Sequence, residues 1–416
     1  MAVGKWTGES TNVIQGKTII CFASGWDYHP TSKHHVMRLL SQHNQVIWVN
    51  WHASRRPRVH PTDLWSVVSK LRQIRRGPRQ VSDSLTVVTP GQLPLPGSTI
   101  ARKLNAMMVR RAVRRVLDTL PQRPMQIWSF APDVAEMAGA FGEELVLYYC
   151  VDAFGEFPGY DRALIERRER ELIARSDLVV TTSRPLYEAK SKLHPEVHLV
   201  QHGVDHELLS RGLREALPCP DELARLPRPI MGFVGMIGEW VNLDLVADLA
   251  RLRPESSLVM VGPELTGRGP CAGLPNVHFL GSRDHTLLPA YLRHFDVGLI
   301  PFRHVPLTHN ANPIKLYEYV AAGLPVVSTP LPAVEAVEDA VWLAEDVAQW
   351  ATCCARAVRR NEPMARLQRS ERMRSESWPA RLDQIGAIIE RILGNGPIKT
   401  PAPVLTTTRV PEAANV

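Results

Sequence analysis

Asn312–Thr329, NPIKLYEYVAAGLPVVST, reads as a helix running into a buried strand. Pro313 suits the first turn, where its missing N–H costs nothing. Leu316, Tyr319 and Val320 recur at helical spacing. Gly323 and Pro325 stop the helix, and PVVST is the β-branched run of a strand covered on both faces. Lys315 and Glu318 lie three apart, on one face near the helix N-terminus. Free N–H groups and a partial positive charge make that end suitable for a phosphate. A lysine there can hold a diphosphate, and the carboxylate one turn on can accept both hydroxyls of a ribose. The same spacing also fits an intrahelical ion pair on a solvated face.

Upstream, IMGFVGMI, SSLVMVGP, NVHFLG and VGLIPF read as strands, separated by the helical NLDLVADLARL and HTLLPAYLRHF. Gly235 and Gly238 follow the first of these strands and permit close backbone approach to a phosphate. The chain opens in the same style. Thr18–Phe22 is a strand, Gly25–Ser32 a loop, Lys33–Ser41 a helix and Gln45–Asn50 a second strand. No GxGxxG is present, so a dinucleotide fingerprint is missing. Gly25, Asp27, His34 and His35 fall where loops at strand ends meet a substrate; an ordinary surface role is the alternative for either histidine. MQIWSF and LVLYYCVD add strands, the latter ending at Asp152 before the loop AFGEFPG. A carboxylate just past a buried strand enters the ligand crevice and can take a proton from an acceptor hydroxyl. Capping the next segment is its other reading. Glu156 is the second catalytic candidate. Strands alternating with helices twice over predict an α/β protein of two facing doubly wound domains, over 1–205 and 206–375. A last amphipathic helix spans 376–394, and 395–416 has little means of burying a core.

NPIKLYEYVAAGLPVVSTP closely resembles the nucleotide-binding helix of GT-B glycosyltransferases in the broad group-1 family that builds bacterial polysaccharides. The resemblance continues through IMGFVGMIGEWVNLDLVADLARLRPESSLVMVGP and NVHFLGSRDHTLLPAYLRHFDVGLIPF, covering Ile230–Pro332 strongly and the first half weakly. VHLVQHGVD resembles the family's run into the interdomain linker, with His202 where Asn is usual. The resemblance implies GT-B architecture, with the final helix crossing back onto the first domain. It places Lys315 on the donor diphosphate, Glu318 on the ribose and an acidic base near Asp152. The expected donor site comprises Gly235, Gly238, Arg303, Asn310, Pro313, Lys315, Leu316 and Glu318, and the acceptor side Gly25, Asp27, His34 and His35. Two departures stand out. Asn310 occupies the position eight before Glu318, where many retaining members carry a glutamate. GMIGEW stands where Arg and Lys are common, leaving the phosphate charge to Lys315, Arg303 and the helix end. No DxD occurs, so metal-independent transfer is expected; the nucleotide-sugar is a co-substrate, without cofactor or metal.

Composition narrows the partners. The chain of 416 residues is 44% hydrophobic and 22% charged, ordinary for a globular protein. Six scattered cysteines without CxxC read as reduced thiols, and no apolar run approaches the about 18 residues of a membrane span. A cytoplasmic protein is expected. The net charge of +7 is uneven, because Trp51–Pro124 holds 15 Lys and Arg against three acidic residues. That local balance of +12 calls for an anionic partner. Nucleic acid is not expected, since no finger or RNP sequence accompanies it. An anionic membrane face is the better fit. LWSVVSKLRQIRR and ARKLNAMMVRRAVRRVLDTL mix apolar residues with arginines, and Leu104, Met107, Met108, Val116, Leu117 and Leu120 can form one interfacial stripe. A core-facing helix with a basic outer face is the competing reading. The favoured function is sugar transfer to a lipid-linked or polysaccharide acceptor at the inner face of the cell membrane. A nucleotide-sugar epimerase of this architecture and a non-enzymatic anionic binder are the alternatives.

Overall fold

The computed structural model describes residues 14–28, 30–52, 54, 74, 77–335 and 340–394. Two sheets organise them. The first contains β1 (Thr18–Ala23), β2 (Gln45–Asn50), β3 (Arg79–Ser82), β4 (Leu85–Val88), β5 (Met125–Ser129), β6 (Leu145–Cys150), β7 (Leu178–Thr181) and β8 (Val197–Leu199). Their order is β3-β4-β2-β1-β5-β6-β7-β8, with β3 antiparallel at one edge and every other pair parallel. The second contains β9 (Ile230–Val234), β10 (Ser257–Val261), β11 (Val277–Gly281), β12 (Val297–Ile300), β13 (Val326–Ser328) and β14 (Val341–Leu343). It is wholly parallel, in the order β11-β10-β9-β12-β13-β14. Strand order reverses beside β1 in one sheet and beside β9 in the other, which opens a ligand crevice at each set of strand C-termini.

Burial on both faces explains the continuous apolar strands. Along β1, Ile19, Cys21 and Ala23 enter one core layer, whereas Ile20 and Phe22 enter the layer under the helix Thr99–Leu117. This alternation with both faces covered is what a parallel sheet requires. Each buried Ile or Phe contributes roughly 1.5–3 kcal/mol of transfer free energy.

The final helix, Trp378–Gly394, belongs to the first sheet's core. Trp378, Leu382, Ile385, Ile389 and Ile392 recur on one face and pack with Ile19, Val36 and Leu40. The chain therefore passes between the halves twice, and the two crossings are bonded together. The Val204 N–H donates to the Glu376 carbonyl at 2.9 Å, and the Trp378 N–H to the Val204 carbonyl at 3.3 Å. A Cβ at residue 203 would come within 2.7 Å of the Trp378 backbone, so the close crossing needs Gly203.

Two sequence expectations change here. Pro313 is the residue before the helix Ile314–Ala321, capping it rather than opening its first turn. On the helix Thr99–Leu117 the buried stripe is Ala101, Asn105, Ala106, Val109, Val113 and Val116. Val116 thus faces the core, while Leu104 and Met107, from the expected stripe, lie outside with Ile100. Apart from Asn105, small and β-branched residues at helical spacing occupy the core face. The segment 64–76 lies outside the described residues apart from Ile74, as does 395–416. Among the described residues no helix is long and apolar enough to cross a membrane.

Candidate active site

The two crevices face each other, and their strand ends supply one cleft. Lys33 comes from the start of the helix Ser32–Leu40, which follows β1, and Asp152 from the end of β6. Lys315 comes from the first turn of the helix Ile314–Ala321 in the other half. Asp152 feels both ammonium groups. Burial pushes its carboxyl up to about 7, while Lys33 and Lys315 pull it down. Burial pushes Lys315 down to about 8, against the pull of Glu318 and Asp152. Burial also lowers Lys33, with Asp152 opposing. A carboxylate and a lysine that both exchange protons near neutrality, one from each domain, have the character of reacting groups.

Lys315 is held without a committed anion. Its ammonium stands over the rings of Phe302 at 4.6 Å and Phe233 at 5.2 Å, and makes no hydrogen bond or ion pair among the described residues. Cation–π attraction of this kind is worth about 0.5–2 kcal/mol, less than a diphosphate would supply through charge-assisted hydrogen bonds. Gly235 borders the lysine stem, and a Cβ there would lie 3.1 Å from Lys315 Cε. Behind it, Gly262 has φ +148°, and its Cβ would strike the Gly235 carbonyl oxygen at 2.0 Å. Only glycine fits at 262.

One turn along, Glu318 Oε1 meets His285 Nε2 at 3.4 Å. Burial works against charge on His285, but Glu318 and Asp205 outweigh it and raise its pKa. His35 lies across from it, with ring centroids 5.3 Å apart, and stacks on Trp378 at 5.4 Å. The halves also touch directly. Ser183 Oγ donates to the Asn310 carbonyl at 2.6 Å, Asn312 Nδ2 donates to the Thr182 carbonyl at 2.8 Å, and Phe157 meets Trp240 edge-on at 6.3 Å.

Asp152, His35, Gly235, Lys315 and Glu318 are thus brought together, while other expected residues are placed differently. His34 is a core residue: its Nδ1 accepts from the Thr31 N–H, its Nε2 meets the Trp26 carbonyl at 3.1 Å, and Trp26 and Trp48 flank its ring. Asp27 pairs with Arg79 at 2.6 Å on an exposed edge, and Gly25 lies against the Tyr28 ring. Glu156 pairs with Arg162 at 2.9 Å. Arg303 pairs with Asp244 at 2.5 Å, leaving Lys315 as the uncommitted cation of the two. The Leu316 side chain is fully buried in the second core, so only its main chain can face a ligand. Gly238 packs under Trp240, and Asn310 donates its amide to the Pro306 carbonyl at 2.7 Å. Among the described residues no group of three or more His, Cys, Asp or Glu is placed to hold a metal ion.

Lys33 and His285 were not singled out in the sequence. Both follow a β-strand C-terminus, at the start of a helix or turn, which is where crevice residues arise. That position was the available signal.

Two parallel-sheet domains facing each other across such a cleft, with the last helix returned to the first domain, are the GT-B architecture. Residues 228–360 match the family model described as glycosyl transferases group 1. The chain therefore carries a group 1 glycosyltransferase domain. TuaH of Bacillus subtilis strain 168, a proposed teichuronic acid biosynthesis glycosyltransferase, is 28% identical over 224 residues. The match covers 50% of this chain and 55% of that relative, so the chain spans about half the length of the curated relative it matches. Anabaena Alr3699/HepE, solved with UDP, superposes with TM-score 0.62 at 14% identity over 90% of this chain and all of that one. A trehalose 6-phosphate synthase from Burkholderia multivorans gives TM-score 0.63 at 13% identity, over 92% of this chain and all of that one. At these identities the likeness is one of fold.

Proposed function

We propose that this protein transfers a sugar from a nucleoside-diphosphate sugar, with UDP the favoured nucleotide, to a lipid-linked or polysaccharide acceptor. The carrying observation is Lys315 in the cleft, without an anion of its own and facing Asp152 of the other domain. Lys315, with the N–H groups at its helix end, receives the departing diphosphate, and Glu318 holds the ribose. Asp152 accepts the proton of the attacking acceptor hydroxyl, a task matched to a carboxyl that titrates near 7. Lys33 is then the cation that keeps Asp152 ionised once the diphosphate draws Lys315 away.

Acceptor delivery is assigned to the inner face of the cell membrane. Ile100, Leu104 and Met107 are exposed on the helix Thr99–Leu117, beside Lys103, Arg111 and Arg115. Apolar side chains flanked by cations suit an anionic bilayer interface. A panel of nucleotide-sugars, with released nucleotide as the readout, tests the donor reading. Binding of UDP that Lys315→Ala and Glu318→Ala both leave unchanged would overturn it.

A further inference from the structure

Around Glu318 the two halves assemble a cluster that the proposed chemistry does not use. His285, in the turn after β11, contacts the Glu318 carboxylate at 3.4 Å. His35 of the first domain faces His285 at 5.3 Å and is fixed by stacking flat on Trp378, at an interplanar angle of 6°. Asp205, in the interdomain linker, lies close enough to favour charge on His285, while it caps the next helix through the Leu208 N–H at 3.0 Å. Arg38, on the same helix as His35, opposes that charge, and Asp284 beside His285 faces Arg38. The imidazole therefore sits between two carboxylates, with little solvent, at the point where donor ribose is expected.

We propose that His285 is a positioning residue for the donor: it holds the Glu318 carboxylate toward the ribose and is in its protonated form when the nucleotide is bound. This rests on the reading of Glu318 as the ribose ligand. The carboxylate has two oxygens, and anchoring Oε1 leaves Oε2 and the remaining lone pairs available to a ligand. A charge-assisted bond fixes that orientation more firmly than a neutral one. The bound diphosphate adds negative charge to a neighbourhood that already favours imidazolium, so binding draws a proton onto His285. Donor affinity is accordingly linked to pH through a residue outside the reacting atoms.

The test is titration calorimetry with UDP, in buffers of different ionisation enthalpy at pH 7.5, which counts protons taken up on binding. The nucleotide's own phosphate ionisation is common to wild type and variants, so the difference belongs to the protein. His285→Gln is expected to take up fewer protons than wild type and to bind about threefold to tenfold more weakly at pH 6.5, with the gap closing by pH 8.5. His285→Arg, charged throughout, is expected to bind tightly at both pH values with the reduced proton count of His285→Gln. Equal proton uptake by wild type and both variants would overturn the inference, as would an affinity gap independent of pH. Failure of UDP to bind the wild type, or full affinity in Glu318→Gln, would instead bring down the donor-site reading beneath it. Unfolding midpoints at pH 8.5 separate a folding defect, and His285→Arg supplies the count if His285→Gln does not fold.

Discussion

Asp152→Asn isolates the proton-accepting step from donor binding. The carboxyl is lifted to about 7 by burial, so at pH 7 about half the molecules carry the ionised form. Simple titration then makes about nine-tenths competent at pH 8 and about one-tenth at pH 6, about a tenfold range in kcat/KM, which reports the donor-free protein, if the base limits the rate. Stability linkage has a definite sign. Because the folded pKa lies above the ordinary carboxyl value, Asp152's contribution is complete below about 4 and is lost as pH rises through about 7. Working pH therefore carries the cost of ionising this carboxyl in the cleft. Asp152→Asn should bind UDP at least as tightly as wild type, since Lys315 loses a competing carboxylate, while turnover falls by roughly a hundredfold or more and the residual rate loses its pH dependence. Lys33→Met removes one of the two cations that lower the carboxyl pKa. Its limb of kcat/KM should move about one pH unit higher, the scale of a nearby opposing charge, with activity recovering in alkaline buffer. Steady-state nucleotide release from pH 5.5 to 9 measures both. Near-normal turnover in Asp152→Asn would refute the assignment, and a wild-type profile flat across that range would refute the coupling.

Lys315→Met should weaken UDP binding by about 1–3 kcal/mol, because the diphosphate loses the ammonium proposed to receive it; calorimetry with the nucleoside diphosphate decides it. Gly262→Ala should lower the unfolding midpoint and UDP affinity together, since a Cβ 2.0 Å from the Gly235 oxygen must push the donor loop aside; the strain is about 1–3 kcal/mol. Combined Lys103→Gln, Arg111→Gln and Arg115→Gln should release the protein from anionic vesicles at low salt without changing UDP affinity, each cation contributing about 1 kcal/mol at the surface. Flotation reads this, and a wild type that never floats would remove the membrane assignment. Arg110 and Arg114 are left out of that variant because they donate to the Glu136 and Ala140 carbonyls and so brace the helix.

How much could be read before folding depends on the kind of residue. The inner strands of both sheets were legible because two-sided burial demands apolar, β-branched runs such as TIICFA and SLVMV, whereas β3, β4 and β14 were not, β3 being exposed along its length and β14 only partly buried. Lys315 and Glu318 were legible because three residues on a helix fix a shared face. His34 and His35 could not be separated by sequence. They are adjacent, and the helix turns one into the Trp26–Trp48 core and the other onto Trp378, a partner 343 positions away. Arg303 looked available until Asp244, on the helix Leu243–Leu252, claimed it. On Thr99–Leu117 the apolar residues outnumber the core positions, and composition does not say which face is which. Long-range pairing, not local propensity, decides His34, His35, Arg303 and the face of Thr99–Leu117.

The same long-range pairing accounts for the division of labour across the cleft. Asp152 and Lys33 belong to the first half and Lys315 to the second, so neither half alone holds the carboxylate and Lys315 together. An unpaired charge in a partly dehydrated cleft is unfavourable, and bringing the halves together offsets some of that cost by setting opposite charges face to face. On the proposed chemistry, a bound diphosphate competes for Lys315 and removes one of the two cations from Asp152. The carboxylate then becomes a stronger base as the donor arrives, with Lys33 preventing its outright neutralisation. The doubled crossing at Val204 and Glu376–Trp378 ties the two passages of the chain to each other by backbone hydrogen bonds at the boundary of the halves. If the proposed roles hold, basicity develops where and when the leaving group is held, and an empty donor site leaves Asp152 under the pull of two lysines.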